Sequence, residues 1–192
     1  MKEIILIGGG GHCRSVIDVI EQEGQFKILG IIDKAELIGT DVLGYPVFGS
    51  DLDIENLAKK YSYALVTIGQ IKSSEQRVKM FDLAKKSGFI LPSIFSPRAY
   101  ISKHALIGSG VVVMHDALIN ANASIGDNSI INSKALIEHD SKVGEHCHIS
   151  TNTTINGSVI IEPKCFIGSG SVLRESITIK KNSFIKAGSL IK

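Results

Sequence analysis

"ISKHALIGSGVVVMHDALINANASIGDNSIINSKALIEHDSKVGEHCHIS", residues 101–150, carries a branched aliphatic side chain at every sixth position. The count runs Ile101, Ile107, Val113, Ile119, Ile125, Ile131, Ile137, Val143 and Ile149, then continues unbroken through Ile155, Ile161, Ile167, Leu173, Ile179 and Ile185 to Ile191. Glycine often follows, as in "IGSG", "IGDN" and "VGEH", and the fourth residue after each aliphatic is usually small: Ala105, Ala117, Ala123, Ser129, Ala135, Ser141, Cys147. Ordinary amphipathic strands would alternate with period two. A period of six instead gives each hexad one short strand and one corner of a β-helix. Three hexads close a triangular coil of 18 residues, so the aliphatics stack in columns along the inner edges, and about five coils fit between 101 and 192.

Upstream of Phe95 the rhythm is different. "EIILIG" (3–8) is a continuous apolar strand, "CRSVIDVIEQEG" (13–24) has helical spacing, and "KILGIID" (27–33) is strand again. A turn-rich stretch through "LGYPVFGS" leads to a short helix (52–61), a buried strand "YALVTIG" (63–69) and a helix (73–88) for which Ser73 and Gln76 suit a capping box. Strands alternating with helices predict a parallel sheet. The fold class expected is therefore an α/β Rossmann-like βαβαβ domain, residues 1–93, followed by a parallel β-helix of hexapeptide repeats, residues 94–192.

Composition narrows the chemistry. The 192 residues carry a formal charge of +2 with Lys and Arg scattered, which offers no basic stripe for nucleic acid. No apolar run reaches the roughly 18 residues that span a bilayer, and the start reads as a strand rather than a leader, so a cytoplasmic protein with a small-molecule partner is expected. Three cysteines, Cys13, Cys147 and Cys165, give no disulfide framework.

Three histidines and three carboxylates crowd into "IEHDSKVGEHCH" (137–148). Adding one coil to His139 gives Gly157, so a residue without a side chain is predicted to lie one strand spacing from this imidazole. His104, His115 and His146 read as solvated turn residues. Cys147 and Cys165, also 18 apart, read as small inward packing residues in a column with Ser129 and Ser183. No metal is expected, because His146-x-His148 lacks the spacing of a zinc-binding β-helix. At the other end, "GGGGHC" (8–13) after the first strand is similar to a dinucleotide fingerprint with Asp33 about 20 residues on, or is a bare strand-to-helix turn. Exposed amides at such a helix start bind pyrophosphate whatever is attached to it.

Taken together, the hexads, "LIGGGGH", Asp33, "TIG" (67–69) and "IEHD…VGEHCHIS" resemble the hexapeptide acyltransferases that acetylate sugars, a group that includes UDP-4-amino-sugar N-acetyltransferases of the bacillosamine type and sialic acid O-acetyltransferases. That resemblance implies a left-handed β-helix, acetyl-CoA as co-substrate and a homotrimer with the donor site between subunits. It implies His139 as general base paired with Asp140, and Gly157 offering its amide to the acetyl oxygen. His148, Ser169 and Ala187 are implied on the acyl-CoA side. Gly10, Gly11 and His12 would face the phosphates of a nucleotide-sugar, Asp33 and Lys34 its uridine, and Gly69 would let it approach closely. Many relatives continue into a tail with a Pro-Ala-Lys type segment that contacts CoA, whereas this sequence reads "AGSLIK" to its last residue. N-acetylation of a nucleotide-linked, UDP-type amino sugar is the expected activity. O-acetylation of a sialic-acid-like sugar and a non-catalytic nucleotide-sugar scaffold are the alternatives.

Overall fold

β1 (Lys2–Ile7) buries its last four residues and runs through the middle of a sheet, with parallel β2 (Phe26–Asp33) on one side and parallel β5 (Tyr63–Val66) on the other. A strand paired on both edges this way needs both faces covered. α1 (Gly11–Glu23) buries Cys13, Val16, Ile17, Val19 and Ile20 and stops at Gly24, whose left-handed φ of 70° turns its N–H back to the Ile20 carbonyl. α2 (Ile54–Ala58) and α3 (Glu75–Lys86) cover the other side, where Ile54, Met80, Phe81 and Ala84 pack against Ile5, Ile7 and Ile32.

Two further strands, β3 (Asp41–Val42) and β4 (Tyr45–Ser50), complete a five-stranded sheet in the order β3-β4-β2-β1-β5 and correct the sequence reading. "LGYPVFGS", expected as turns, contains β4, which pairs antiparallel with β3 and parallel with β2. Pro46 is tolerated because pairing with β2 begins only at Val47, so its missing N–H leaves no gap in that ladder. α3 starts at Glu75, two residues inside the expected capping box, and β5 ends at Val66, leaving Thr67, Ile68 and Gly69 as a loop. Ser50 heads a capping arrangement over the 3-10 turn Asp51–Asp53: its N–H and hydroxyl both donate to Asp53 Oδ2, at 2.7 and 3.0 Å.

The computed structural model describes residues 1–192, which divide into this unit, Met1–Gly69 with Glu75–Pro92, and a second formed by Gln70–Ser74 and Ser93–Lys192. The second unit is a left-handed β-helix of two-residue strands set six residues apart, from β6 (Ile94–Phe95) and β7 (Tyr100–Ile101) to β22 (Leu190–Ile191). From β7 onward, the second residue of every strand is one of the sequence-predicted aliphatics, and each strand pairs in parallel with the one 18 residues on: Ile101 with Ile119, Ile119 with Ile137, Ile137 with Ile155. The result is three stacked parallel sheets around one apolar core. Each fully buried aliphatic in it contributes roughly 1.5–3 kcal/mol.

The corners have a period of their own. One residue per corner takes a left-handed φ of 56–63°: Asp116, Asn122, Asn128, Lys134, Asp140, His146, Asn152, Ser158, Lys164, Ser176 and Asn182. Asn and Asp tolerate this conformation better than most side chains, and they take six of these eleven places. Gly110, Gly170 and Gly188 fill the matching place elsewhere.

Candidate active site

His139 and Asp140 form the corner between β13 (Leu136–Ile137) and β14 (Lys142–Val143). Because Asp140 is the left-handed residue, φ 62°, its carboxylate folds back on its predecessor: Oδ2 lies 2.7 Å from His139 Nδ1. The other oxygen accepts from Asn122 Nδ2 at 2.7 Å, one coil earlier in the same corner position. Asn122 and then His139 hold the Asp140 carboxyl below its ordinary pKa, and the Asp140 bond raises that of His139 above the usual imidazole value. With Nδ1–H donated to Asp140, the neutral ring carries its lone pair on Nε2. Both side chains are open, at 61% and 48% exposure, so that nitrogen is accessible. Glu138 is engaged elsewhere, accepting from Asn120 Nδ2 at 2.8 Å.

Gly157 stacks on His139 one coil later, and Ser158 N–H donates to the His139 carbonyl at 3.0 Å. A Cβ at Gly157 would sit 2.8 Å from Cε1 and 2.9 Å from Nε2 of the imidazole, so the ring occupies the space that a side chain would need. The ladder makes a further demand at this corner place. It uses the carbonyl of the residue before each left-handed position, as Ser176 N–H does with Gly157 at 3.0 Å, but not that residue's N–H. At Ala121 and Ser133 the leftover N–H goes to the preceding asparagine side chain, at 2.7 and 2.8 Å, and at His139 to Glu138 at 3.3 Å. The Gly157 amide is bonded to neither ladder nor side chain.

The nucleotide-side residues expected from the sequence converge in the first unit. Gly10, Asp33, Lys34 and Gly69 line one cavity of about 450 Å³ with Ile7, Gly8, Ile32, Asp51, Ile68 and Gln76. Gly8, φ 104°, comes so close to Ile68 that a Cβ would overlap its side chain, which explains a glycine there. Gly11 and His12 lie in the first turn of α1 and do not line the cavity, though a Cβ on Gly69 would touch His12 at 3.4 Å. Asp33 is committed first to the loop itself: Oδ2 accepts from Gly9 N–H at 2.6 Å and Oδ1 from Lys34 N–H at 2.7 Å.

Several contributors escaped the sequence reading. Arg77 is wholly buried beneath the 66–69 loop and donates to the carbonyls of Val66 and Ile68, both at 2.8 Å; burial pulls its pKa down to about 9. Thr67 hydroxyl donates to the Gly8 carbonyl at 2.5 Å and so ties that loop to the glycine loop. Asp51 and Gln76 on the cavity wall could be found only once β4 and the true start of α3 were known.

His148 stands on β15 (His148–Ile149), half a coil from His139, and is buried at 7% exposure. Its Nδ1–H donates to the Gln70 carbonyl at 2.5 Å, Nε2 accepts from Asn132 Nδ2 at 3.1 Å, and Phe166 meets its ring edge to face. Ser169 and Ala187 belong to a third place: they stack on the corner that also holds Ser133 and Thr151, with Gly188 N–H donating to Ser169 O at 2.9 Å. One chain therefore does not bring them beside His139.

His146, read as a solvated turn residue, is buried at 6% exposure with Nδ1 3.0 Å from Asn128 Nδ2; the left-handed corner aims its ring back along the coil instead of outward. His104 is exposed, and His115 is half-buried with Nδ1 2.6 Å from the Ser96 hydroxyl. Cys147 and Cys165 are inward and buried: the Cys147 amide bonds Ser129 Oγ at 3.1 Å, and contact with Cys165 together with burial raises the Cys147 thiol. Burial pushes Cys13 up to about 11. No three His, Cys, Asp or Glu side chains converge in a metal-ligating arrangement.

Comparison with known proteins separates the same two units. Residues 3–81 match the PglD N-terminal domain, residues 122–157 the bacterial transferase hexapeptide and residues 158–192 the hexapeptide repeat of succinyl-transferase. A histidine-to-asparagine mutant of perosamine N-acetyltransferase from Caulobacter crescentus, solved with CoA and GDP-perosamine, is 32% identical over 100% of this chain and 89% of its own, with a TM-score of 0.93. The chain belongs to the hexapeptide-repeat sugar acetyltransferases. The acetyltransferase domain of PglB from Neisseria gonorrhoeae FA1090, solved with acetyl coenzyme A, is 28% identical over 99% of this chain and 92% of its own, with a TM-score of 0.90. WeeI from Acinetobacter baumannii AYE, at 24% identity and a TM-score of 0.84 over 100% of this chain and 92% of its own, shares the fold. No curated protein matches by sequence. As an acetyltransferase of this family the chain has no helix long and apolar enough to cross a membrane.

Proposed function

We propose that this acetyltransferase moves an acetyl group from acetyl-CoA to the amino group of a nucleotide-linked 4-amino sugar, with His139 as general base. The observation that carries the reading is the stack of one open imidazole, tautomerically fixed by Asp140, on a glycine whose amide has no partner in the coil. In this mechanism the neutral amine attacks the thioester carbonyl carbon and forms the C–N bond. Nε2 of His139 takes the proton that the nitrogen must lose. The carbonyl oxygen gathers charge and is met by the Gly157 N–H. The tetrahedral centre then collapses, the C–S bond breaks, and the imidazolium returns its proton to the CoA thiolate. No acyl-enzyme is needed, and the buried cysteines stand apart from the reaction.

The neighbours favour an amine over a hydroxyl: the Caulobacter protein is named as an N-acetyltransferase and was solved with a nucleotide-linked sugar. O-acetylation and a binding-only scaffold are correspondingly less favoured. UDP is what the resemblance implied for the acceptor, whereas that neighbour holds a GDP-sugar.

Trimerisation is part of the same proposal. The outward residues of one sheet, Tyr100, Leu118, Leu136, Thr154, Val172 and Leu190, form a column that is apolar except at Thr154, with Tyr100 and Leu190 each 61% exposed. Ser169 and Ala187, proposed for the donor, stand on a different corner from His139, so a donor site uniting them calls for a second subunit. His148, with both ring nitrogens spent inside the protein, would shape the donor wall rather than bond CoA.

The test is thiol release from acetyl-CoA against a panel of nucleotide-linked amino sugars. Release with at least one such acceptor, lost in His139→Ala, supports the reading. An unchanged rate in that variant removes the mechanism.

A further inference from the structure

We propose that Asp51 reads the nucleobase of the acceptor and that its carboxylate selects guanine; this rests on the cavity of the first unit being the nucleotide-sugar site proposed above. Two acidic residues, Asp33 and Asp51, line that cavity, and a third, Asp53, lies two residues beyond Asp51; Asp33 and Asp53 are spent. Asp33 holds the amides of Gly9 and Lys34, at 2.6 and 2.7 Å. Asp53 holds the N–H and hydroxyl of Ser50, at 2.7 and 3.0 Å. Asp51, half-buried in the cavity wall, takes part in no hydrogen bond or ion pair of the chain, so both its oxygens are available to a ligand.

Its position suits a base rather than a phosphate. In the strand order β4-β2-β1, Asp51 follows β4 and the glycine loop follows β1, so the two are separated by two strand spacings, roughly 10 Å. A diphosphate at the bare amides opening α1 would leave the nucleoside to run across β2 toward Asp51. Half-buried Ile68 in the same lining gives the cavity an apolar surface on which a planar ring can lie.

The hydrogen-bonding edge then decides which ring. Guanine presents N1–H and an N2 amine side by side, two donors matched to the two oxygens of one carboxylate in paired, charge-assisted bonds. Its neighbouring O6 is an acceptor, and Gln76 on the same cavity wall carries an amide donor. Uracil presents a single N–H between two carbonyl oxygens, so a carboxylate that reaches it also meets like partial charge. Adenine and cytosine each present one amine donor beside an acceptor nitrogen on that edge. Asp51 is thus a specificity residue, and the uridine nucleotide implied by the family resemblance is the poorer chemical match.

The experiment is calorimetric titration of the full chain, and of Asp51→Asn, with GDP, IDP and UDP, alongside acetyl transfer by both proteins. IDP keeps N1–H but lacks the N2 amine. Wild type is expected to bind GDP about tenfold or more tighter than UDP, with IDP between, as loss of a charge-assisted bond requires. Asp51→Asn should weaken GDP by a similar factor, leave UDP nearly unchanged and erase the GDP–IDP difference, a coupling that a merely structural role would not produce. Equal or tighter UDP binding by wild type, or an equal loss for all three nucleotides in the variant, overturns the inference while leaving the cavity as the acceptor site. If no nucleotide binds wild type, the acceptor reading of the cavity falls, and this inference with it.

Discussion

His139 and His148 are nine residues apart on the same β-helix, and the fold gives them opposite surroundings. His148 stands on the outer side of a strand, where the Gln70 carbonyl and Asn132 close its two ring nitrogens and a phenylalanine lies against its edge. His139 rides on a corner, spends one nitrogen on Asp140 and leaves the other over a glycine. A base needs an unspent lone pair with a route to solvent or substrate, and only the corner supplies both. The pair teaches that in a solenoid, function belongs to the position within the coil more than to the residue type.

That contrast can be broken by exchanging what each histidine has. His139→Ala is expected to lower kcat about 10²- to 10⁴-fold, the usual worth of a general base, with thermal stability nearly unchanged because the side chain is exposed; thiol release and a melting curve read both. Gly157→Ala comes next. Its methyl would fall within 3 Å of Cε1 and Nε2, so the ring must swing away, and a displacement of about 1 Å costs on the order of 10²-fold in kcat. His148→Phe reverses the pattern: the Gln70 carbonyl and Asn132 amide lose their partner, which should cost about 1–3 kcal/mol of stability by denaturant titration, with a smaller effect on kcat than either corner change.

The two histidines were not equally legible in the sequence, and neither were the two units. In the β-helix a neighbour is the residue 18 further on, so the stack of Gly157 on His139 followed from counting. The direction of the corner side chains did not follow from counting. The left-handed φ that turns the Asp140 carboxylate onto His139 also buries His146, which had read as a solvated turn. In the first unit, neighbours are set by strand order, which no period reveals. Pro46 and Gly49 disguised β4 as turns, and with β4 hidden Asp51 had no visible place beside Asp33. Asp33 itself was picked out by its spacing from the glycines, but its bond to Gly9 required the crossover geometry. Arg77 was not singled out at all, because nothing in the sequence of α3 marks the one arginine that turns inward as the loop's buried clamp.

The smallest expected effect sharpens the contrast from one coil away. Asn122→Ala removes the bond that helps hold the Asp140 carboxyl below its ordinary pKa. Asp140 would then orient His139 less firmly, and the activity profile should shift by about half a pKa unit or less.

The most direct test of the central claim is the pH dependence of kcat/KM in wild type and in Asp140→Asn. The Asp140 bond raises the pKa of His139, so wild-type activity should rise with pH along a limb set above the ordinary imidazole value, as the ring loses its proton and becomes a base. In Asp140→Asn that limb should move to lower pH, because the carboxylate that favoured the imidazolium is gone, while the plateau falls with the loss of tautomer control. A limb due to the acceptor amine would not move. The same limb at the same pH in both proteins would contradict the account of His139 as the Asp140-oriented base.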